Sequence, residues 1–446
     1  MLLRRKPGAK ASELAQWTNT SQPTISRMLA EVAPQVACIG RGPRRRYYGR
    51  RNLRGLPGQF PLYAVGRDGT ATQVGVLDLI EPEGTVLDVA AMGWPVEQEF
   101  VDGVWPGLAY PLQDMRFQGF LGRGLARNVG PDLGVSSNPG EWGDDDVLFV
   151  LTQRGSDTSG NLILGDEALK RWLQAKAGSP RIPSGLDIER DYAQLANEAS
   201  ALGAVGSSAA GEFPKFTAMR ELDGSQTPHV IVKFSGAEAS GAVQRWSDLL
   251  VCEHLALQAA ANMPGVQSAD SRILQVQGRT LLEVERFDRH GLHGRSPLCS
   301  LETLDAAMLN KSSNDWGVLG TLLQEQGWIT SESAHKIQLI WLFGKLIGNS
   351  DMHKGNLSFI PCHPVQVAPV YDMLPMMFAP LGGGEVPQVQ YSPALPAPRD
   401  RESWLLACAA AIEFWRRASA DARISPAFRK ICAANQMTLT RLRDLA

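Results

Sequence analysis

The strongest constraint on this chain lies between Ser331 and Asp372. The run "SESAHKIQLIWLFGKLIGNS" carries an apolar face at helical spacing and delivers the backbone to "GNSDMHKGNLSF", where an Asp, a His, a Lys and an Asn crowd together. "LSFI" and "VQVAPV" then read as two strands joined at "PCHP". A hairpin returns its end to where it began, so Asp372 of "VYDMLPM" is expected close to Asn356. Asp351 precedes Asn356 with the D-x-x-x-x-N spacing of a kinase catalytic loop, in which the Asp accepts the substrate hydroxyl proton and the Asn binds Mg²⁺. Two oxygen ligands at one end of a β-pair suit Mg²⁺, a hard cation that keeps waters and phosphate oxygens as its other ligands.

The order of elements upstream points the same way. A small-residue loop, "GSSAAGEFPKF", leads into a strand, a "DGS" turn and the apolar strand "HVIVKF", which holds Lys233. A helix follows, "SDLLVCEHLALQAA", then a strand pair ending in "LLEVERFDR". A lone strand lysine is ordinarily a snorkelling surface residue. This succession, however, is that of a protein kinase small lobe, where a loop covers the phosphates and the lysine contacts them. The loop lacks both the Gly-Lys-Ser/Thr ending of a Walker motif and a GxGxxG. Glu253, inside the helix, reads first as a solvated residue and second as an ion-pair partner of Lys233.

A net charge of −2 conceals a strong asymmetry. Residues 1–54 hold twelve Lys or Arg against two Glu, a balance of +10, which leaves −12 for the remainder. The basic segment reads as two short helices, "ASELAQW" and "SQPTISRMLAEV", joined by "TNT", with Ser21 as N-cap and Pro23 in the first turn. Ile25, Met28, Leu29 and Val32 fall on one face, leaving Gln22, Thr24, Ser26 and Arg27 outward where a recognition helix meets base edges. The pattern resembles bacterial regulators whose second helix reads like "SQPTVSRHL"; Asn19 replaces a usual Gly, which its access to the left-handed region permits. "QVACIGRGPRRRYYGRR" alternates like a hairpin around a Gly-Pro turn and looks like a wing, with Arg44, Arg45 and Arg46 among the arginines that would hold phosphates. Duplex DNA is the expected partner of this segment.

Taken together, "GNSDMHKGN", "VYDMLP", "EVERFDR" and "SSAAGEFPKF" resemble the HipA family of bacterial serine/threonine kinases, toxins of type II toxin–antitoxin systems. The resemblance covers roughly residues 61–405 and is tightest after Ser207. It implies that Asp351 is the catalytic Asp, with His353 in the family's loop position, and that Asn356 and Asp372 bind the metal. It further implies that Lys233 clamps ATP, that Glu285, Arg286 and Phe287 form the hinge for the adenine, and that Gly211 and Lys215 belong to the phosphate loop. Ser208 corresponds to the position where family members autophosphorylate. The family loop resembles S-x-A-G-A-Q-E-K, so Phe213 and Pro214 depart from it, and the resemblance implies no phosphate contact from those two positions. The fused DNA-binding segment is similar to the YjjJ type of HipA-like protein; it suggests self-contained recruitment to DNA and leaves room for a separate antitoxin.

The expected fold is therefore α+β: a winged helix-turn-helix over 1–54, a β-rich lobe with the nucleotide loop over 55–288, and a mainly helical lobe with the catalytic loop over 289–446. The expected activity is an ATP- and Mg²⁺-dependent serine/threonine protein kinase acting on a protein substrate. A DNA-binding regulator with an inactive kinase-like body, and a kinase of small hydroxyl compounds, use the same residues. No apolar run approaches the roughly 20 residues needed to span a membrane. The six scattered cysteines fit a reducing cytoplasm, and His290, His293 and His363 read as loop histidines.

Overall fold

The computed structural model describes residues 2–40, 42, 45–178, 182–184, 186–203, 213–221 and 224–446. Ser208, Gly211 and Arg44, three of the expected functional positions, lie outside the described residues.

The chain begins with α1 (Leu2–Arg5), α2 (Ala11–Thr18) and α3 (Gln22–Glu31). Asn19 closes α2 at φ 50°, in the left-handed region that its short polar side chain tolerates. Ser21 caps α3 by accepting the Thr24 N–H at 3.3 Å. Of the four apolar residues expected on one face of α3, Ile25 is buried and Leu29 packs beside it. Met28 and Val32, the latter the residue that closes the helix, are exposed at 47% and 39%, so the expected apolar face is only half covered.

Strands β1 (Val36–Ile39) and β2 (Arg46–Gly49) form an antiparallel hairpin. Its Ala37 and Tyr48 are buried with Ile80, against Val86 and Val104 of the sheet that follows. The first 54 residues thus have a small core of their own, around Leu14, Ile25 and Tyr47, and a hairpin that also packs on the body. Arg50 donates to Asp78 at 2.7 Å and Arg51 to Asp145 at 2.7 Å, while Arg4 pairs with Glu81 and Arg54 with Asp146. Arg50 and Arg51, read from the sequence as part of the wing, thus pair with the body.

That body opens with β3 (Gln59–Val65), β4 (Ala71–Leu79), β5 (Thr85–Val86) and β6 (Val104–Trp105), then α4 (Gly119–Leu133), α5 (Asp144–Arg154), β7 (Leu162–Leu164) and α6 (Asp166–Ala177). The five strands form one sheet in the order β6-β5-β4-β3-β7. Leu62, Leu77 and Leu79 alternate onto its inner face and meet Trp105, Tyr110 and Leu148 in the main core.

Helix α7 (Leu186–Gly203) leads to a second sheet made of β8 (Lys215–Met219), β9 (His229–Phe234), β10 (Ser271–Val276) and β11 (Arg279–Glu285), with α8 (Gly241–Ala260) between β9 and β10. The order is β10-β11-β9-β8, all antiparallel. The alternation of β9 divides its side chains between two environments. Val230, Val232 and Phe234 pack on Tyr192 and Ala196 of α7, which sends Lys233 to the opposite face, toward α8.

The remainder is mainly helical. A short ribbon of β12 (Arg289–His290) and β13 (Gly294–Arg295) precedes β14 (Cys299–Ser300), α9 (Leu301–Leu304) and a π-turn over Asp305–Leu309. Helices α10 (Trp316–Glu325) and α11 (Ser331–Ile347) follow, then the hairpin β15 (Ser358–Ile360) and β16 (Gln366–Val367), which β14 extends to three strands. Helices α12 (Arg401–Ala420) and α13 (Pro426–Leu445) complete the chain. Among the described residues, no helix is long and apolar enough to cross a membrane.

Candidate active site

Lys233 anchors the site. Its Nζ donates to both carboxylate oxygens of Glu253, at 2.7 and 2.9 Å, and to Asp372 Oδ1 at 2.5 Å. Helix α8 supplies Glu253, β9 supplies Lys233, and the stretch after β16 supplies Asp372, so three separate elements converge on one ammonium. Burial alone would lower the lysine pKa, but the two carboxylates outweigh it and hold the group above the ordinary lysine range. Burial would likewise raise Asp372, yet Lys233 and Lys215 keep it ionised, below the usual carboxylate range. Glu253 moves the other way, raised by burial despite Lys233. Lys215 sits opposite Lys233 in the β8–β9 register and adds positive potential to the same wall.

The loop after α11 is held by its own polar groups. Gly348 ends the helix at φ 77°, and Asn349 accepts the Asp351 N–H at 3.0 Å. The Asn356 amide nitrogen donates to the Asp351 carbonyl at 2.9 Å, and the His353 Nδ1 accepts the Gly355 N–H at 3.1 Å. The Tyr371 hydroxyl donates to the Gly355 carbonyl at 2.7 Å and meets Ser358 Oγ at 2.8 Å. That bond ties the residue beside Asp372 to the loop bearing Asp351. Asp372 itself has φ 55°, a left-handed backbone that turns its carboxylate toward Lys233.

Two adjoining cavities share these groups. One, of about 280 Å³, is lined by Lys215, Ile231, Lys233, Val284, Glu285, Phe287, Tyr371 and Asp372. The other, of about 840 Å³, is lined by Asp351, His353, Asn356, Asp372, Lys215 and Glu302. Asp114 and Ser159, from the first sheet domain, reach both. Asp351, His353, Asn356, Asp372, Lys215, Lys233, Glu285 and Phe287 are thereby brought to one place. Gln22, Ser26 and Arg27 are exposed on α3, Thr24 is partly covered, and Arg45 and Arg46 are exposed at the hairpin; none of these lines either cavity.

Sequence reading under-rated Glu253, which is fully buried rather than solvated. It missed Asp114, whose carboxylate accepts the Ser300 N–H at 2.6 Å and hydroxyl at 2.7 Å. Nothing in "YPLQDM" signals that position, since only the tertiary fold brings it to the cavity. Glu253 had a signal: an acidic residue amid "LLVCEHLAL" has no solvent-facing side to use. The departure at Phe213 also has a structural reason, because its ring is buried against Trp246 of α8 with centroids 4.6 Å apart. Beside it, the Pro214 carbonyl accepts the Phe234 N–H at 3.1 Å. Both residues fasten the end of the loop to the sheet and helix that carry Lys233 and Glu253.

Residues 56–173 match a family model described as the YjjJ-like toxin middle domain, and residues 207–437 match the HipA-like C-terminal domain. The chain is 36% identical over 423 residues to Toxin YjjJ of Escherichia coli, a match covering 94% of this chain and 92% of the relative. Among solved structures it is similar to the Shewanella oneidensis MR-1 toxin–antitoxin system of HipA, HipB and operator DNA. That match has a TM-score of 0.51 at 14% identity and covers 86% of this chain and 96% of the other. With two domain models and a full-length relative in agreement, the chain belongs to the HipA-like toxins, in their YjjJ-like branch.

Proposed function

We propose that this protein is an ATP- and Mg²⁺-dependent serine/threonine protein kinase of the HipA toxin type, recruited to duplex DNA by its own N-terminal segment. The observation that carries the reading is the shared ammonium of Lys233, bound by Glu253 and by Asp372, the last of which also lines the adjoining cavity of Asp351 and Asn356. A lysine held charged in this way is suited to orient phosphate oxygens. Asn356 engages its amide nitrogen with the loop backbone, which leaves its carbonyl oxygen as a donor, and Asp372 brings a carboxylate. This all-oxygen pair fits Mg²⁺. When bound, ATP and Mg²⁺ supply the transferable phosphoryl group and the charge neutralisation. Asp351 then orients the acceptor Ser or Thr hydroxyl and accepts its proton, while Glu285 and Phe287 at the end of β11 flank the adenine. Ser208 is the proposed site of autophosphorylation.

The proposed division is a winged helix-turn-helix over 1–54, a nucleotide-binding lobe over 55–288 and a catalytic lobe over 289–446. The α2–α3 pair and the β1–β2 hairpin support DNA recognition through Gln22, Thr24, Ser26 and Arg27, with Arg44, Arg45 and Arg46 on phosphates. HipB-like antitoxins remain candidate partners by analogy with the Shewanella complex. One observation favours a second reading, a DNA-binding regulator with an inactive body: the proposed metal ligand Asp372 is already engaged by Lys233. Labelled ATP, Mg²⁺ and a cell extract separate the two. Phosphate transfer by the wild type and none by Asp351→Asn supports the kinase; no transfer by either supports the regulator.

A further inference from the structure

Lys354 stands inside the loop that carries Asp351 and Asn356, yet it is turned away from the cavity that its neighbours His353 and Gly355 line. Its Nζ donates to Asp305 Oδ2 at 2.6 Å and to the Lys311 carbonyl at 2.7 Å. Asp305 completes the triangle by accepting the Lys311 N–H on Oδ1 at 3.0 Å. Both carboxylate oxygens are therefore engaged, and the side chain is only 5% exposed, against 14% for Lys354. Asp305 opens the π-turn Asp305–Leu309, and Asn310 follows at φ 51°; this unusual backbone brings Lys311 round to meet it.

A solvent-exposed ion pair would contribute little. This one is different because Asp305 is buried and Lys354 largely covered, and because it joins the short 3-10 turn Lys354–Asn356 to a turn packed on α9 and α10. We infer that Asp305 and Lys354 are positioning residues that clamp the Asp351–Asn356 loop from behind and fix its place relative to Lys233 and Asp372. The inference rests on the kinase reading for its consequence, though not for the clamp itself. Inside the loop the Asn356 side-chain amide donates a hydrogen bond to the Asp351 carbonyl; the clamp sets where that unit stands relative to Lys233 and Asp372, on other elements.

The test uses the full chain with Lys354→Met, Lys354→Arg, Asp305→Asn and the Lys354→Met/Asp305→Asn double variant. Amide hydrogen exchange over residues 350–357, without nucleotide, reads the clamp directly. Faster exchange is expected in Lys354→Met and Asp305→Asn but not in Lys354→Arg, which keeps the charge. Phosphate transfer should show kcat lowered by about 10²-fold with KM for ATP nearly unchanged, since a misplaced loop affects alignment rather than nucleotide affinity. The double variant should be no worse than either single one, because both remove the same bond. Unchanged exchange in Lys354→Met overturns the inference, as does loss of transfer in Lys354→Met with full transfer in Asp305→Asn, which would place the lysine on substrate instead. If Asp305→Asn does not fold, the Met and Arg variants of Lys354 decide by their contrast. Should the wild type transfer no phosphate, the kinase reading fails, and the exchange measurement still decides the clamp.

Discussion

Lys233 and Glu253 lie on different elements and meet through two bonds of 2.7 and 2.9 Å in the interior, with Asp372 completing the group. Removing one member of a buried ion pair costs about 3–5 kcal/mol, because the other charge is left uncompensated. Lys233→Met should be the more damaging change, since it leaves two carboxylates facing each other. Glu253→Gln leaves the lysine one partner and should cost less. Urea unfolding of both variants tests the order.

Asp351→Asn should lower transfer by about 10²–10⁴-fold, the usual contribution of a general base, while ATP binding stays near wild type. Asp372→Ala should instead lose the Mg²⁺-dependent part of ATP binding. Calorimetric titration with and without Mg²⁺, beside the transfer assay, separates these outcomes; equal transfer by Asp351→Asn removes that residue from the mechanism.

Phe213→Ala should destabilise the protein by about 3–5 kcal/mol through loss of its buried contact with Trp246. The unfolding midpoint should fall even without nucleotide. A midpoint equal to wild type would show that the ring is not a structural anchor.

His254 predicts a pH dependence away from the cavities. It is buried, with Nδ1 3.0 Å from Ser271 Oγ, and burial followed by the charges of Arg423 and Arg417 pushes its pKa down from 6.5 to about 4. The unfolded chain therefore binds a proton that the folded chain refuses between these values. The stability this group contributes is fully present above pH 6.5 and is lost as pH falls toward 4. His254→Gln should flatten the stability profile in that window. An unaltered slope between wild type and variant would disprove the assignment.

DNA binding should depend on Arg45 and Arg46, which are exposed, and not on Arg50 or Arg51, which pair with Asp78 and Asp145. Each phosphate contact contributes about 0.9 to the log–log salt slope, so Arg45→Ala with Arg46→Ala should flatten it by about two units. Arg27→Ala should cost about 1–3 kcal/mol at a preferred site and relax sequence preference, as base contacts do. Point variants are the right probe. Cutting after residue 54 would strip Ala37 and Tyr48 from Ile80 and expose a buried face.

Local physics in the sequence determined much of this protein. The caps Ser21 and Asn19 set the ends of α3 and α2, the apolar alternation of β9 set its two faces, and the β15–β16 hairpin brought Asp372 back toward the loop bearing Asp351. These are contacts between residues near in sequence, or periodicities that one element carries by itself. The tertiary structure alone decided which residues met across elements. It buried Glu253 against Lys233, brought Asp114 from the first sheet domain to Ser300, joined Asp305 to Lys354, and committed Arg50 and Arg51 to the body instead of the hairpin surface. Charged side chains carry no mark in the sequence of which opposite charge they will find. That choice depends on long-range packing, since a charge leaves water only where the fold has already placed its partner.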